Sequence, residues 1–238
     1  MKIKRFFCNM LSENCYVLER GGKFVVVDPG FCGETELEGL YALLGDSAPE
    51  AVLLTHAHFD HTLGVKPLQQ KYPGLPVYMA PEDVVLLEED ARYACGLGIK
   101  DFDFSFDWTP VRDGDELRFD GGFAFRAVAT PGHTPGGLCW YCPEEGVVFT
   151  GDTLFADTIG RTDLAFGDYD SEIRSIMEKL MLLPGSTDVL PGHGRATTIE
   201  RERMSNPFLE PFNEPEEEFD EDLPGISLHG YMSGPGAD

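Results

Sequence analysis

The sequence predicts an α/β protein. Short runs rich in Val, Leu, Ile and Phe recur along the chain, each bounded by Gly, Pro or Asp. Between several of them lie segments with apolar residues at helical spacing. The length of 238 residues, with 42 % hydrophobic and 25 % charged, can bury a full core in one large domain or two small ones.

The elements follow in order. Residues 2–7, 14–19 and 23–28 read as strands, the last two joined by Gly21-Gly22. Leu37, Leu40, Leu43 and Leu44 share one face of a helix over 35–45. AVLLT at 51–55 is a short strand, followed by helices over 63–72 and 81–90, where Pro81 suits a first turn. Residues 93–110, rich in Gly, Asp and Phe, read as an irregular lid-like segment. Strands resume at 115–119, 123–130, 137–142 and 146–150. Ile173, Ile176, Met177 and Leu180 mark a helix over 169–182. TDVL at 187–190 is a further strand, and Thr197 or Thr198 caps a last helix running to about 204.

The formal charge is −24, from 18 Lys+Arg against 42 Asp+Glu. Such a surface has no basic patch to wrap nucleic acid or dock on an anionic membrane. No apolar run reaches the ~18 residues of a membrane span. Eight acids and no Lys or Arg fall in 214–238, so residues 1–213 still carry −16. The composition places one domain over 1–213 and an acidic tail over 214–238. That tail is solvated and poorly ordered, or docks on a partner subunit and mediates self-association. The start of the chain has no apolar leader, which predicts a cytoplasmic location and free thiols. Cys139 and Cys142, though spaced as in a redox motif, lie on a strand and point to opposite faces.

The histidines carry the functional argument. Three of the six stand together in Thr55-His56-Ala57-His58-Phe59-Asp60-His61. His133 lies in TPGHTPGG, His193 in LPGHG, and Asp152 in FTGDT. In each case an apolar run ends and an imidazole or carboxylate follows. Singly, His133 fits an ordinary loop residue, Asp152 a turn and Asp60 a helix cap. Together, five of six histidines in three strand-end motifs point to one site. In an extended segment, His56 and His58 point the same way, roughly 6.6 Å apart. Imidazoles with a few carboxylates suit Zn, Fe or Mn. Seven donors exceed one tetrahedral ion, so two ions about 3.5–4 Å apart fit better.

HAHFDH matches the HxHxDH signature of the metallo-β-lactamase superfamily. Within it, the chain resembles the short bacterial glyoxalase II-like hydrolases through GHTPGGLCWY, FTGDTLFADTIGRTDLAFGDYD and PGHGRATTIERERMSNPFL. The resemblance implies an αββα sandwich with the metals at one edge, between the sheets. It assigns His56, His58 and His133 to one metal, Asp60, His61 and His193 to the second, and Asp152 to both. It implies two divalent ions, zinc foremost with iron or manganese as alternatives. The implied reaction is cleavage of a small-molecule thioester, such as an S-2-hydroxyacylglutathione, by a metal-bridging hydroxide. Asp60 would both bind a metal and orient the nucleophile. Asp163 is a candidate to fix a histidine tautomer, or else a salt-bridge partner of Arg161, and the 93–110 segment and the surroundings of Tyr169 are expected to shape the pocket.

The chain departs from the pattern in two respects. It lacks the helical C-terminal domain that helps full-length glyoxalase II hold glutathione, with 45 residues after His193. It has Arg195 and Glu200 where the subgroup often has Pro and Gly, which predicts altered loop packing rather than lost metal binding. Two other functions remain open: a mononuclear iron persulfide dioxygenase, similar at GRTD, and a non-catalytic metal-binding protein.

Overall fold

The computed structural model describes residues 1–96, 99 and 103–209. Two six-stranded sheets form its centre. The first takes β1 (Lys2–Cys8), β2 (Glu13–Arg20), β3 (Lys23–Val27), β4 (Ala51–Leu53), β5 (Val77–Met79) and β6 (Thr109–Pro110), in that spatial order. β1 to β3 are antiparallel neighbours, and β3 to β6 pair in parallel. The second sheet holds β7 (Glu116–Arg118), β8 (Ala124–Ala129), β9 (Leu138–Cys142) and β10 (Val147–Gly151). A short hairpin of β11 (Leu154–Phe155) and β12 (Thr158–Ile159) leaves it before β13 (Asp188–Pro191) and β14 (Thr197–Thr198) return. β13 lies parallel to β10 and completes the order β14-β13-β10-β9-β8-β7.

Strand periodicity explains how the layers stack. In β3, Val25 and Val27 face the second sheet, while Phe24 and Val26 face helices. In β9, Trp140 and Cys142 face inward, while Cys139 and Tyr141 face outward. Both faces are buried, so these strands read as unbroken apolar runs. Between the sheets, Tyr16, Leu18 and Leu53 pack against Phe123, Phe125 and Phe149. Trp140 donates its indole N–H to the carbonyl of Leu54 at 2.9 Å, which ties the two sheets together.

Helices close the outer faces. α1 (Glu34–Leu44) buries Leu37, Leu40 and Leu44 on the first sheet, beside α3 (Val65–Lys71) with Val65 and Leu68. A single turn, α2 (Phe59–Thr62), precedes α3, so Asp60 lies inside a short helix rather than capping the one over 63–72. Pro81 opens a 3₁₀ turn that continues as α4 (Val84–Gly96). This helix occupies the start of the segment expected to be irregular. On the second sheet, α5 (Tyr169–Glu178) buries Ile173 and Ile176, and a 3₁₀ turn adds Leu180. Thr198 caps α6 (Ile199–Ser205), its hydroxyl accepting from the N–H of Arg201 at 3.2 Å. The layers are helix, sheet, sheet, helix, as the resemblance implies. The tail at 214–238 lies outside the described residues.

Candidate metal centre

Four strand ends converge at one edge of the sandwich. β4 leads into His56, His58, Asp60 and His61, β8 into His133, β10 into Asp152, and β13 into His193. The edges are stitched to each other. Leu138 donates its N–H to the carbonyl of Thr55 at 2.7 Å, and Asn14 donates to Gly192 at 2.7 Å. Gly192 is required by space: a Cβ there would lie 2.4 Å from Asp152 Oδ1 and 2.6 Å from His61 Cε1.

The donor atoms fall into two overlapping triads. His56, His58 and His133 form one; Asp60, His61 and His193 form the other; each set places its donor atoms within 4.8 Å of one another. Asp152 lies between them. Its Oδ1 is 3.4 Å from His61 Nε2, and its Oδ2 is 3.7 Å from His133 Nε2 and 3.6 Å from His193 Nε2. Asp60 Oδ2 sits 3.2 Å from His193 Nε2.

Hydrogen bonds behind the rings fix which nitrogen faces the centre. Thr55 donates its hydroxyl to Asp28 at 2.6 Å, so the same oxygen accepts from His56 Nδ1 at 3.0 Å. His61 Nδ1 donates to Asp28 at 3.1 Å, His133 Nδ1 to the carbonyl of Arg161 at 2.7 Å, and His193 Nδ1 to the carbonyl of Leu11 at 3.2 Å. Each Nε2 is thereby the ring nitrogen that points inward, where a bound cation would take its lone pair. The Nε2 atoms of His56 and His61 and Oδ1 of Asp152 are buried and make no hydrogen bond. Buried polar atoms are costly unless something satisfies them. Inward lone pairs on imidazole and carboxylate are the donor set a divalent cation takes.

The electrostatics divide along the same line. Burial, reinforced by neighbouring histidines, holds His56 well below the ordinary imidazole range and His58 down at about 3. Both are neutral, as metal ligation needs. Burial opposes the charge on Asp152, yet His61, His193 and His133 hold its carboxyl well below the usual range. Asp60 is held down against burial by His61 and His193. His61 is raised well above the ordinary value, burial being outweighed by Asp60, Asp152 and Asp28.

Residues 9–193 match the metallo-β-lactamase superfamily model. The chain belongs to this superfamily. Among metallo-β-lactamase relatives, the hydroxyacylglutathione hydrolase GloC of Haemophilus influenzae is 36 % identical over 88 % of this chain and 98 % of its own. The probable metallo-hydrolase YqgX of Bacillus subtilis is 36 % identical over 90 % of this chain and 100 % of its own. Among solved structures, TTHA1623 in a di-iron-bound form is 39 % identical with a TM-score of 0.76, covering 87 % of this chain and 100 % of that one. The chain is thus a superfamily metallo-hydrolase of the glyoxalase II-like kind, with a His/Asp cluster suited to two ions.

All seven residues expected at the superfamily centre are brought together. Asp163 is not among them: it is an exposed partner of Arg161, bonded at 2.9 and 3.1 Å. The tautomer of His133 is fixed instead by the Arg161 backbone. Arg195 pairs with Asp157 of the β11–β12 turn, and Glu200, in the first turn of α6, donates its N–H to the carbonyl of Gly185 at 2.9 Å. Cys139 and Cys142 are buried free thiols on opposite faces of β9.

Sequence reasoning missed Asp28, Asp83 and Glu172. Asp28 accepts from Thr55 N at 2.7 Å as well as from the groups above. Its strand end, FVVVDPG, repeats the pattern of GVVFTGD, so a signal existed. Glu172 is fully buried and accepts from His133 N at 2.9 Å. Its signal was an acid on the apolar stripe of α5, four residues before Ile176. A cleft of about 870 Å³ opens over the centre. Leu86, Phe155 and, shortly before Tyr169, Leu164 and Ala165 line it; the described residues 103–110 do not, and residues 97, 98 and 100–102 lie outside the described residues. Among the described residues, no helix is long and apolar enough to cross a membrane.

Proposed function

We propose that this metallo-hydrolase is a binuclear thioester hydrolase of the glyoxalase II type. The observation that carries the reading is the pair of donor triads with Asp152 between them, at the floor of a cleft. The 36 % identity to GloC, named a hydroxyacylglutathione hydrolase, supports thioester cleavage as the reaction. His56, His58 and His133 would hold one divalent ion, Asp60, His61 and His193 the second, and Asp152 both. Zinc is the first candidate, and the di-iron form of TTHA1623 makes iron the second. Two such ions supply a water acidic enough to lose its proton near neutral pH and a Lewis acid for the carbonyl oxygen.

The protein's own groups position the reaction. Asp60, 3.2 Å from His193 Nε2, would accept a hydrogen bond from the attacking water and orient its lone pair to the thioester carbon. A C–O bond forms, the C–S bond breaks, and the sulfur leaves with the bonding pair as thiolate. A thiol has a pKa of ~8.5, so this leaving group needs no strong acid. The carboxylic acid so formed gives up its proton to solvent and the thiolate takes one up, so the products are a carboxylate and a thiol. Asp152 and Asp60 offset the cationic charge collected at the cleft floor, and Phe59 and Leu86 shield that floor from bulk water.

The test is elemental analysis of the purified protein beside an assay of thioester cleavage. Two ions per chain with thioesterase activity support the reading. One iron per chain, with oxygen uptake on a persulfide, would replace it by the dioxygenase alternative. No turnover at full metal loading would favour a metal-binding role.

A further inference from the structure

Above the centre, the cleft is apolar. Phe59 and Leu86 are buried in its wall, Phe155 and Ile159 face them from the hairpin side, and Leu11 and Leu164 stand at the rim with 46 and 36 % exposure. These two leucines continue the apolar wall to the mouth of the cleft, where a bound hydrocarbon chain would cover them.

Among the described residues, each cation that lines the cleft already faces an acid across an exposed ion pair. Among the described residues, Arg161 and Arg195 are the lining residues with positive side chains. The guanidinium of Arg161 is gripped by both oxygens of Asp163 at 2.9 and 3.1 Å. Arg195 shares Asp157 with Arg201, and Arg201 lies 3.7 Å from Glu202, so two cations meet two acids. Glu89 also lines the cleft, in a chain of net charge −24. Recognition of carboxylates calls for arginine or lysine able to make new charge-assisted bonds. The walls supply area for hydrocarbon instead. Cationic charge held by the donor triads would sit at the floor, where the thioester carbonyl goes, and not along those walls.

We infer that the substrate is a thioester with an apolar acyl group on an uncharged thiol, rather than a glutathione thioester. This rests on the thioester-hydrolase reading and narrows it. Leu11, Leu86 and Leu164 are its specificity-determining residues.

Two matched series test it on the metal-containing protein. Acyl groups of two, four and six carbons are carried on N-acetylcysteamine, which is uncharged, and on glutathione, which bears two carboxylates. The expected kcat/KM rises about three- to fourfold per methylene, the value of a buried CH₂. At low salt, the uncharged series leads at each length by about tenfold or more, and the gap narrows as salt screens the acidic field. Leu164→Asp is expected to flatten the dependence on acyl length, with a melting curve to confirm folding. Leu11→Asp provides a second, independent rim change. A flat or falling dependence on acyl length, or a preference for the glutathione series, overturns the inference while leaving thioesterase activity in place. Cleavage of neither series overturns the thioesterase reading itself, and the inference falls with it.

Discussion

The carboxylate of Asp83 accepts the backbone N–H of Ala57 at 3.0 Å, and so holds the residue between His56 and His58 from below. The same carboxylate takes the hydroxyl of Thr134 at 3.0 Å and the N–H of Gly136 at 2.5 Å. One buried side chain at the start of α4 therefore joins the loop after β4 to the loop after β8. These loops carry the three histidines of the first triad. Their spacing depends on a group that touches none of them.

Replacing Asp83 by Ala would strand three donors in a fully buried position. Each orphaned donor costs about 1–3 kcal/mol, partly relieved by entering water. The expected loss is about 3 kcal/mol in urea unfolding, with weaker metal retention in the first triad. A change under 0.5 kcal/mol would show that the two loops hold their places without this link.

Asp83 also predicts a pH dependence of stability. Burial pushes its carboxyl up to about 6, despite three donors that favour the charged form. The folded chain then binds this proton more tightly than the unfolded chain, where an Asp titrates near 3.9. The resulting stabilisation is complete below about pH 4 and is lost as the pH rises through 6. A rise of about two units corresponds to about 3 kcal/mol. Asp83→Asn removes the titration. In metal-free protein, the stability of wild type minus that of the variant should fall by up to about 3 kcal/mol between pH 4 and 7. A difference that stays flat or grows over this range would contradict the assignment.

What the sequence made legible follows a physical rule. His56, His133, Asp152 and His193 stand out because each closes an apolar run, the last three at a Gly- or Pro-marked strand end, a local pattern. The two-sided burial of β3 and β9 is local too, since both faces are read from consecutive residues. Asp83 is different. An acid in the first turn of a helix is ordinary, and its burial arises from Gly136, 53 residues away. The β11–β12 hairpin escaped because two residues per strand show no periodicity. Its turn residue Asp157 adopts φ 66°, which only the folded hairpin reveals. The extent of α4 was misjudged because residues 93–110 were read by composition, which hides a helix continuing to Gly96.

Gly160 should not tolerate a side chain. A Cβ there would lie 1.9 Å from the carbonyl oxygen of Asp152 and 2.7 Å from Glu172 Oε1. The first obstacle is backbone, which cannot rotate away. Gly160→Ala is expected to cost about 2 kcal/mol or more through forced shifts. For a chain of this size that lowers Tm by about 4–8 °C. Because the displaced strand end carries Asp152, metal content should fall in parallel. A wild-type Tm with full metal content would mean that the loop has room to move.

Asp28 and Asp152 should separate under metal titration. Asp28 accepts from His61 Nδ1 and, through Thr55, braces His56, but it does not line the cleft. Asp28→Asn leaves all seven donors in place and disturbs the orientation and basicity of His61 first. Loss of such a supporting contact typically weakens metal affinity 10- to 100-fold. The weakening should fall mainly on the ion proposed for Asp60, His61 and His193. Asp152→Ala instead removes an oxygen shared between the triads, so both ions should be lost and activity abolished. Competition with a chromophoric chelator reads the two affinities directly. If Asp152→Ala retained two ions and full activity, the shared-carboxylate arrangement would be wrong. If Asp28→Asn weakened both ions equally, its influence would run through Thr55 and His56 as strongly as through His61.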